Sequence, residues 1–443
     1  MEGYKDKALE LLETATAEVG DRIKIKKDDE SHEGILLPRT ELGDTQHIVL
    51  KLDSGYNLGI KATENTEIEK IGEGKKPEMS VSETEYSPNP EKPDISIVGT
   101  GGTIASKVDY RTGAVHPAFS AQEIYSAVPE LAEIANIETV VASNVLSENM
   151  SLDLWKKIGE NVAEELNQGA DGVVVAHGTD TMGYTSAALS FMLKDLTKPV
   201  VLVGSQRSSD RPSSDAALNL ISAVTVASSD LSEVCVVMHG STEDDFCSIH
   251  RGTKVRKCHT SRRDAFQSVN EHPIGKVQNG EVDFFQEVEG RAEGQVKVDS
   301  EFEEKVEIVK THPNIQSDII ENLLNEDYKG IVIEGTGLGH TPKSLYSGIE
   351  KAINAGVPVV MTSQCLWGRV NMRVYSTGRD LLDMGVIPCE DMLPETAFVK
   401  LMWVLGHTND LDEVKDLMLS NLAGEITPRS RPDTFLKPNF PED

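Results

Sequence analysis

Apolar positions near the start of the chain recur at helical spacing and then change period. Ala8, Leu9, Leu11, Leu12 and Ala15 share one face of residues 5–18, which predicts a short amphipathic helix. From Gly20 to Glu69 the pattern alternates instead. RIKIKK sets Ile23 and Ile25 between charges, and HIVLKL meets YNLGIK across Asp53, Ser54 and Gly55, a hairpin turn signal. A small closed β-barrel is the economical reading, and with the helix it makes an N-terminal domain over 1–72. Residues 73–94 carry Pro77, Pro88, Pro90 and Pro93 among charges, with little apolar material to anchor them, and read as a linker.

Beyond the linker, short apolar runs alternate with longer amphipathic stretches: ISIV at 95–98, VVVA at 173–176, VVLV at 200–203 and VCVV at 234–237. Such alternation implies a parallel sheet covered by helices. A polar stretch at 287–303 precedes a second block of the same texture, with IVIE at 331–334 and PVVM at 358–361. The expected fold is α/β: a two-domain parallel-sheet core, 95–290 and 304–425, behind the small β-barrel. A loose tail rich in Pro and Arg is expected after it, and no internal repeat is apparent. A length of 443 residues accommodates three domains at roughly 150 residues each.

Charge narrows the function classes. Asp and Glu number 73 against 43 Lys and Arg, a formal net charge of −30. Such a surface repels phosphate, so the chain alone should neither grip DNA or RNA broadly nor sit on an anionic membrane. Nucleic-acid work would need a partner. The five cysteines form no C-x-x-C pair, which argues against a disulfide framework and a zinc ribbon and for a reducing compartment. Cys235, Cys247, Cys365 and Cys389 are most simply packed core residues. With no apolar leader and no run of about 18 apolar residues, the chain reads as cytoplasmic.

Three segments carry chemistry. TGGTIA, Thr100 to Ala105, follows the strand-like ISIVG; its glycines let the backbone turn sharply while Thr103 places a hydroxyl at a strand's carboxyl end. Ile104 stands where a dinucleotide fingerprint needs its third glycine. HGTDTM, His177 to Met182, follows GVVVA in the same way and opens a helix through Tyr184 to Leu193. Thr179 and Asp180 could be ordinary N-caps there. The third segment, HRGTKVRKCHTSRRDAF at 250–266, concentrates Arg251, Lys254, Arg256, Lys257, Arg262 and Arg263 in an acidic chain. It is either a solvated basic face or the source of a lysine near Asp180, where desolvation favours the neutral amine and the carboxylate opposes that shift. A hydroxyl nucleophile, a base and backbone N–H groups at glycine-rich turns are the parts acyl transfer needs. No H-E-x-x-H, P-loop or G-x-S-x-G occurs, and no metal site is expected.

TGGTIA paired with HGTDTM resembles the asparaginase and glutaminase family, which uses threonines in catalysis. The resemblance continues through Ser147, Glu148, Asn149 and Met150, GSQRSSDRPSSDAALNL from Gly204, and Asp264, Ala265 and Phe266, and covers about 95–425. It implies Thr103 as nucleophile with Tyr110 beside it in a mobile flap, and Thr179, Asp180 and Lys257 as a proton-handling triad. Substrate contacts are implied at Ser147, Glu148, Gly102 and Gly178, with the α-amino and α-carboxylate groups held by Ser147, Thr179 and Asp180. Position 148 is Glu where many free asparaginases have Gln.

Free asparaginases generally begin near the strand before TGGTIA. A core of this kind behind a small β-barrel resembles the D-subunit family of archaeal glutamyl-tRNA(Gln) amidotransferases, with GTDTM, SQRSSDRPSSDA and EGTGLGH as further likenesses. That resemblance implies glutamine hydrolysis on this chain with no cofactor bound to it. It also implies an E-subunit partner that holds ATP and Mg²⁺ and most of the tRNA(Gln) contact, a homodimer through the core, and a heterotetramer overall. EGTGLGH, 334–340, would serve a neighbouring subunit's pocket or be one more glycine-rich strand end. Two rivals stay open: a free-standing asparaginase with an accessory barrel, and a non-catalytic amide-binding or scaffold protein.

Overall fold

The computed structural model describes residues 4–28, 30–37, 45–52, 57–72, 88–101, 106–109, 114–117, 120–207 and 214–435. The first unit is a helix, Asp6–Thr14, and a five-stranded antiparallel sheet. The strand Arg22–Lys27 lies between Glu30–Leu36 and Thr66–Gly72, and Glu30–Leu36 continues to His47–Lys51 and Asn57–Lys61. Ile23 and Ile25 point inward, as the alternation of RIKIKK requires, and meet Ala8 and Leu12 of the helix in one apolar cluster with Leu36, Ile48 and Leu50. His47–Lys51 and Asn57–Lys61 pair antiparallel, while the turn at Asp53, Ser54 and Gly55 lies outside the described residues. No ladder joins the two edge strands among the described residues, so the ring closure expected of a barrel is not among these pairings.

The second unit is built on an eight-stranded sheet. Its strands run, in order, Glu281–Phe284, Gly275–Gln278, Cys247–Arg251, Val234–His239, Val200–Val203, Gly172–Ala176, Asp94–Gly99 and Asn136–Val141. The five from Val234–His239 to Asn136–Val141 are parallel and include the four apolar runs of the sequence; helices on both faces bury them. The other three are antiparallel, so the sheet is mixed and not purely parallel. The last two are short and partly polar, GKVQ and EVDF, and a tight turn at Asn279 and Gly280 joins them without a crossover helix.

The third unit carries four parallel strands, Val306–Lys310, Gly330–Gly335, Val359–Ser363 and Ile387–Pro388. Its helix Pro394–His407 packs on Met182–Met192 of the second unit. Phe191 stacks on Trp403 and Tyr184 meets Phe398 edge-on, so the two units share one core cluster. The tail expected to be loose is anchored at its start. Glu425 is fully buried against Lys400, and Thr427 donates its N–H to Asp391 Oδ1 at 2.9 Å. Cys365 is exposed, not core, while Cys235, Cys247 and Cys389 are buried; burial pushes Cys247 and Cys389 up to about 12. No described helix is long and apolar enough to cross a membrane.

Candidate active site

Three neighbouring parallel strands end on the same edge of the large sheet, and each continues into a segment rich in polar groups. Asp94–Gly99 runs into Thr100 and Gly101. Thr100 donates both its N–H and its hydroxyl to Ala176 O at 3.0 Å, which ties this turn to the strand on one side. Its carbonyl accepts from Val145 N and Ser143 Oγ on the other side. Gly101 has φ +111°, and a Cβ there would fall 2.3 Å from Val145 O, so the turn needs glycine for both conformation and space. Gly102, Thr103 and Tyr110 lie outside the described residues.

Gly172–Ala176 runs into His177, Gly178, Thr179 and Asp180. Neither Thr179 nor Asp180 caps the helix that follows. The N-cap is Thr181, whose side chain makes no capping bond and instead donates to Ser147 O at 2.7 Å. Thr179 and Asp180 turn the other way, to Lys257. The Lys257 Nζ lies 2.8 Å from Thr179 Oγ1 and 2.8 Å from Asp180 Oδ1. The lysine side chain is 15% exposed and the carboxylate 68%, so the hydroxyl faces a half-enclosed amine while the acid reaches solvent. At 2.8 Å a proton can pass between hydroxyl and amine without other movement.

The third segment holds Ser147, Glu148 and Asn149 as a single 3-10 turn. Ser147 is buried and abuts the threonine loop: a Cβ on Gly178 would lie 2.8 Å from both Ser147 Cβ and Oγ. Glu148 is exposed. The structure thus brings Thr179, Asp180, Lys257, Gly178 and Ser147 together and sets Glu148 at the rim.

The basic run is not a solvated face. Arg251 pairs with Glu233 and Glu271, Lys254 with Asp391, Arg256 with Glu395, Lys257 with Asp180, Arg262 with Asp264 and Arg263 with Asp244. Each cation of the run has a carboxylate, which leaves no contiguous positive patch here. Arg263 also starts a chain of contacts to the loop after Val200–Val203. Asp244 bonds His239 Nε2, His239 Nδ1 bonds Asn219 Oδ1, Asn219 Nδ2 donates to Asp215 and Gly204 O, and Asp215 accepts the N–H groups of Gln206 and Arg207. Ser208 to Ser213 of that loop lie outside the described residues.

Sequence reasoning did not single out His177, Thr185, Trp155 or Thr181. His177 is 1% exposed, and burial lowers its ring to about 4, the Gly178 carbonyl opposing. A histidine that ends a strand gives no sign of whether its ring lies in solvent or core. Among the described residues no group of His, Cys, Asp and Glu could hold a metal ion.

Family comparisons match three parts of the chain: the GatD N-terminal domain at residues 17–71, the N-terminal asparaginase domain at 94–290, and the glutaminase/asparaginase C-terminal domain at 305–418. The chain is 57% identical to the D subunit of the glutamyl-tRNA(Gln) amidotransferase of Pyrococcus furiosus, over 96% of this chain and 99% of the relative. It is 57% identical to that of Thermococcus kodakarensis over 98% and 100%, and 52% identical to that of Methanobrevibacter smithii over 98% and 99%. Among solved structures, the thermostable L-asparaginase from Thermococcus kodakarensis superimposes with TM-score 0.67 at 36% identity, over 75% of this chain and 99% of the asparaginase.

Proposed function

The chain belongs to the family of glutamyl-tRNA(Gln) amidotransferase D subunits, and we propose that it hydrolyses the side-chain amide of glutamine and passes the ammonia to a partner E subunit. The partner binds Glu-tRNA(Gln), activates its γ-carboxylate with ATP and Mg²⁺, and adds the ammonia to give Gln-tRNA(Gln). The assembly is a heterotetramer around a homodimer of this chain, in the cytoplasm.

Thr103 attacks the carboxamide carbon, giving a tetrahedral oxyanion. Collapse breaks the carbon–nitrogen bond, the nitrogen leaves as ammonia with a proton from the enzyme, and water then hydrolyses the threonyl ester to glutamate. Thr179 and Lys257 move the protons, and Asp180 holds the amine in place. In this reading Ser147, Glu148, Gly102 and Gly178 contact the substrate, and Tyr110 assists Thr103.

The observation that carries this reading is the Lys257 amine 2.8 Å from both Thr179 Oγ1 and Asp180 Oδ1, one strand away from the TGGT turn. The net charge of −30 and the fully paired basic run agree with leaving tRNA to the partner. The likeness to an L-asparaginase supports the second reading, a free-standing asparaginase with an accessory domain. Steady-state kinetics separate the two. We expect weak glutaminase from the chain alone, rising at least tenfold when E subunit, charged tRNA and ATP are supplied, and lost in Lys257→Ala and Thr179→Ala with folding intact. Full activity on asparagine with no response to partner would favour the second reading, and near-normal glutaminase in either variant would remove that residue from the mechanism.

A further inference from the structure

His177 begins the loop that carries Thr179, yet nothing in the proton transfer uses it. Its contacts have a definite direction. Nδ1 lies 2.6 Å from Gly178 O, a group that only accepts, so Nδ1 carries the proton. Burial keeps the ring neutral, which leaves Nε2 bare. Thr185 Oγ1, 2.9 Å from Nε2, therefore donates to it, and it accepts in turn the indole N–H of Trp155 at 3.0 Å. Indole nitrogen can only donate, so the order runs Trp155, Thr185, His177, Gly178, and the helices Leu152–Gln168 and Met182–Met192 set the tautomer from behind.

The carbonyl of a trans peptide points opposite to the N–H of the same unit. No peptide bond among the described residues is cis. The Gly178 carbonyl is drawn back to the buried ring, so the Thr179 N–H points away from it. Among the described residues that N–H has no hydrogen-bond acceptor. Gly178 cannot rotate freely to relieve this, because Ser147 lies against its Cα.

We propose that His177 is a positioning residue. It fixes the Gly178–Thr179 peptide plane so that the Thr179 N–H stands ready as a donor to the oxyanion formed when the amide is attacked. This role rests on the amide-hydrolysis reading above, since an oxyanion arises only if a carbonyl is attacked. The donor then acts on charge that develops in the transition state, so its loss lowers kcat more than it raises KM.

The test uses the full-length chain in complex with its E subunit, charged tRNA and ATP. His177→Leu keeps apolar bulk without the donor, and kcat for glutamine should fall by about 10²- to 10³-fold while KM stays within about threefold. His177→Asn places an amide Nδ2 where Nδ1 stood and should recover kcat to within about tenfold of the original. Nitrogen-15 spectra of histidine-labelled protein should show His177 as the Nδ1–H tautomer. Unchanged kcat in a folded His177→Leu, equal losses in the Leu and Asn variants, or an Nε2–H tautomer would each overturn the proposal. If the unaltered complex shows no glutaminase while the Nδ1–H tautomer is present, the amide reading fails and takes the oxyanion role with it, but the clamp on Gly178 stands.

Discussion

His177 and His250 are both fully enclosed, and burial lowers both rings from the ordinary 6.5, to about 4 and about 3. In the unfolded chain each ring returns to its ordinary value. Between pH 6.5 and about 4 the unfolded state therefore binds more protons than the native state, and stability falls as the pH falls through that window. From about pH 6.5 to 4.5 the loss is about 2–3 kcal/mol per ring. His250 tests this without touching the candidate site, since its Nδ1 meets Ser268 Oγ at 2.8 Å and its Nε2 has no partner among the described residues. Urea unfolding of His250→Phe at about pH 7 and about pH 4.5 should show a drop smaller than the wild-type drop by that amount. An identical drop in both proteins would show that this ring does not titrate as argued. At this scale the sequence was uneven in what it disclosed. Thr179 and Asp180 stood out because two hydroxyl-bearing turns end apolar strands, and the cations clustered in an acidic chain suggested a lysine near Asp180, but only the family resemblance picked out Lys257 among them. The role of His177 depends on Trp155 and Thr185, which sit on two separate helices and look like ordinary core and helix residues until the fold brings them together.

Strands buried on both faces were readable as apolar runs, because helices cover both sides of the central sheet and most of its side chains must be apolar. The antiparallel strands beside them were not, since Gly275–Gln278 and Glu281–Phe284 are short and expose alternate residues, a texture shared with loops. The glycines were readable as turns but not as contacts. Gly178 and Gly101 matter because one strand's loop must lie directly on the next, and that closeness is set by sheet order. Gly178→Ala should therefore displace the Ser147 turn, destabilise the fold by about 1–3 kcal/mol and raise KM for glutamine at least tenfold. Gly59→Ala, in a strand of the small sheet with no atom within 4 Å of the added Cβ, is the control and should change stability by less than about 1 kcal/mol with KM intact. Equal effects at both positions would mean that loop contact is not what Gly178 provides.

The two larger units meet through a buried polar junction as well as a shared apolar core, and the junction bears on the candidate site because Lys254 precedes the strand Val255–Lys257. Lys254 and Asp391 are both fully buried, 2.7 Å apart. Desolvation lowers the lysine, with Asp391 opposing, so the pair is held against the cost of removing both charges from water. The two partners are not equally replaceable. Asp391 also accepts from Thr427 N and Thr427 Oγ1 and faces Arg369, so it keeps donors when the lysine goes. Lys254 Nζ has Asp391 as its one carboxylate within bonding distance among the described residues. Asp391→Ala should thus cost about 3–5 kcal/mol by leaving an ammonium unpaired in the interior and freeing the tail at Thr427. Lys254→Met, which fills the same space without charge, should cost less than half as much. Combining the two should recover part of the Asp391→Ala loss, because the stranded charge is gone. Denaturant midpoints of the four proteins, read with glutaminase activity in the assembled complex, decide the matter. If Lys254→Met costs as much as Asp391→Ala and the double variant is merely additive, the junction is an ordinary packing contact and the position of Lys257 does not depend on it.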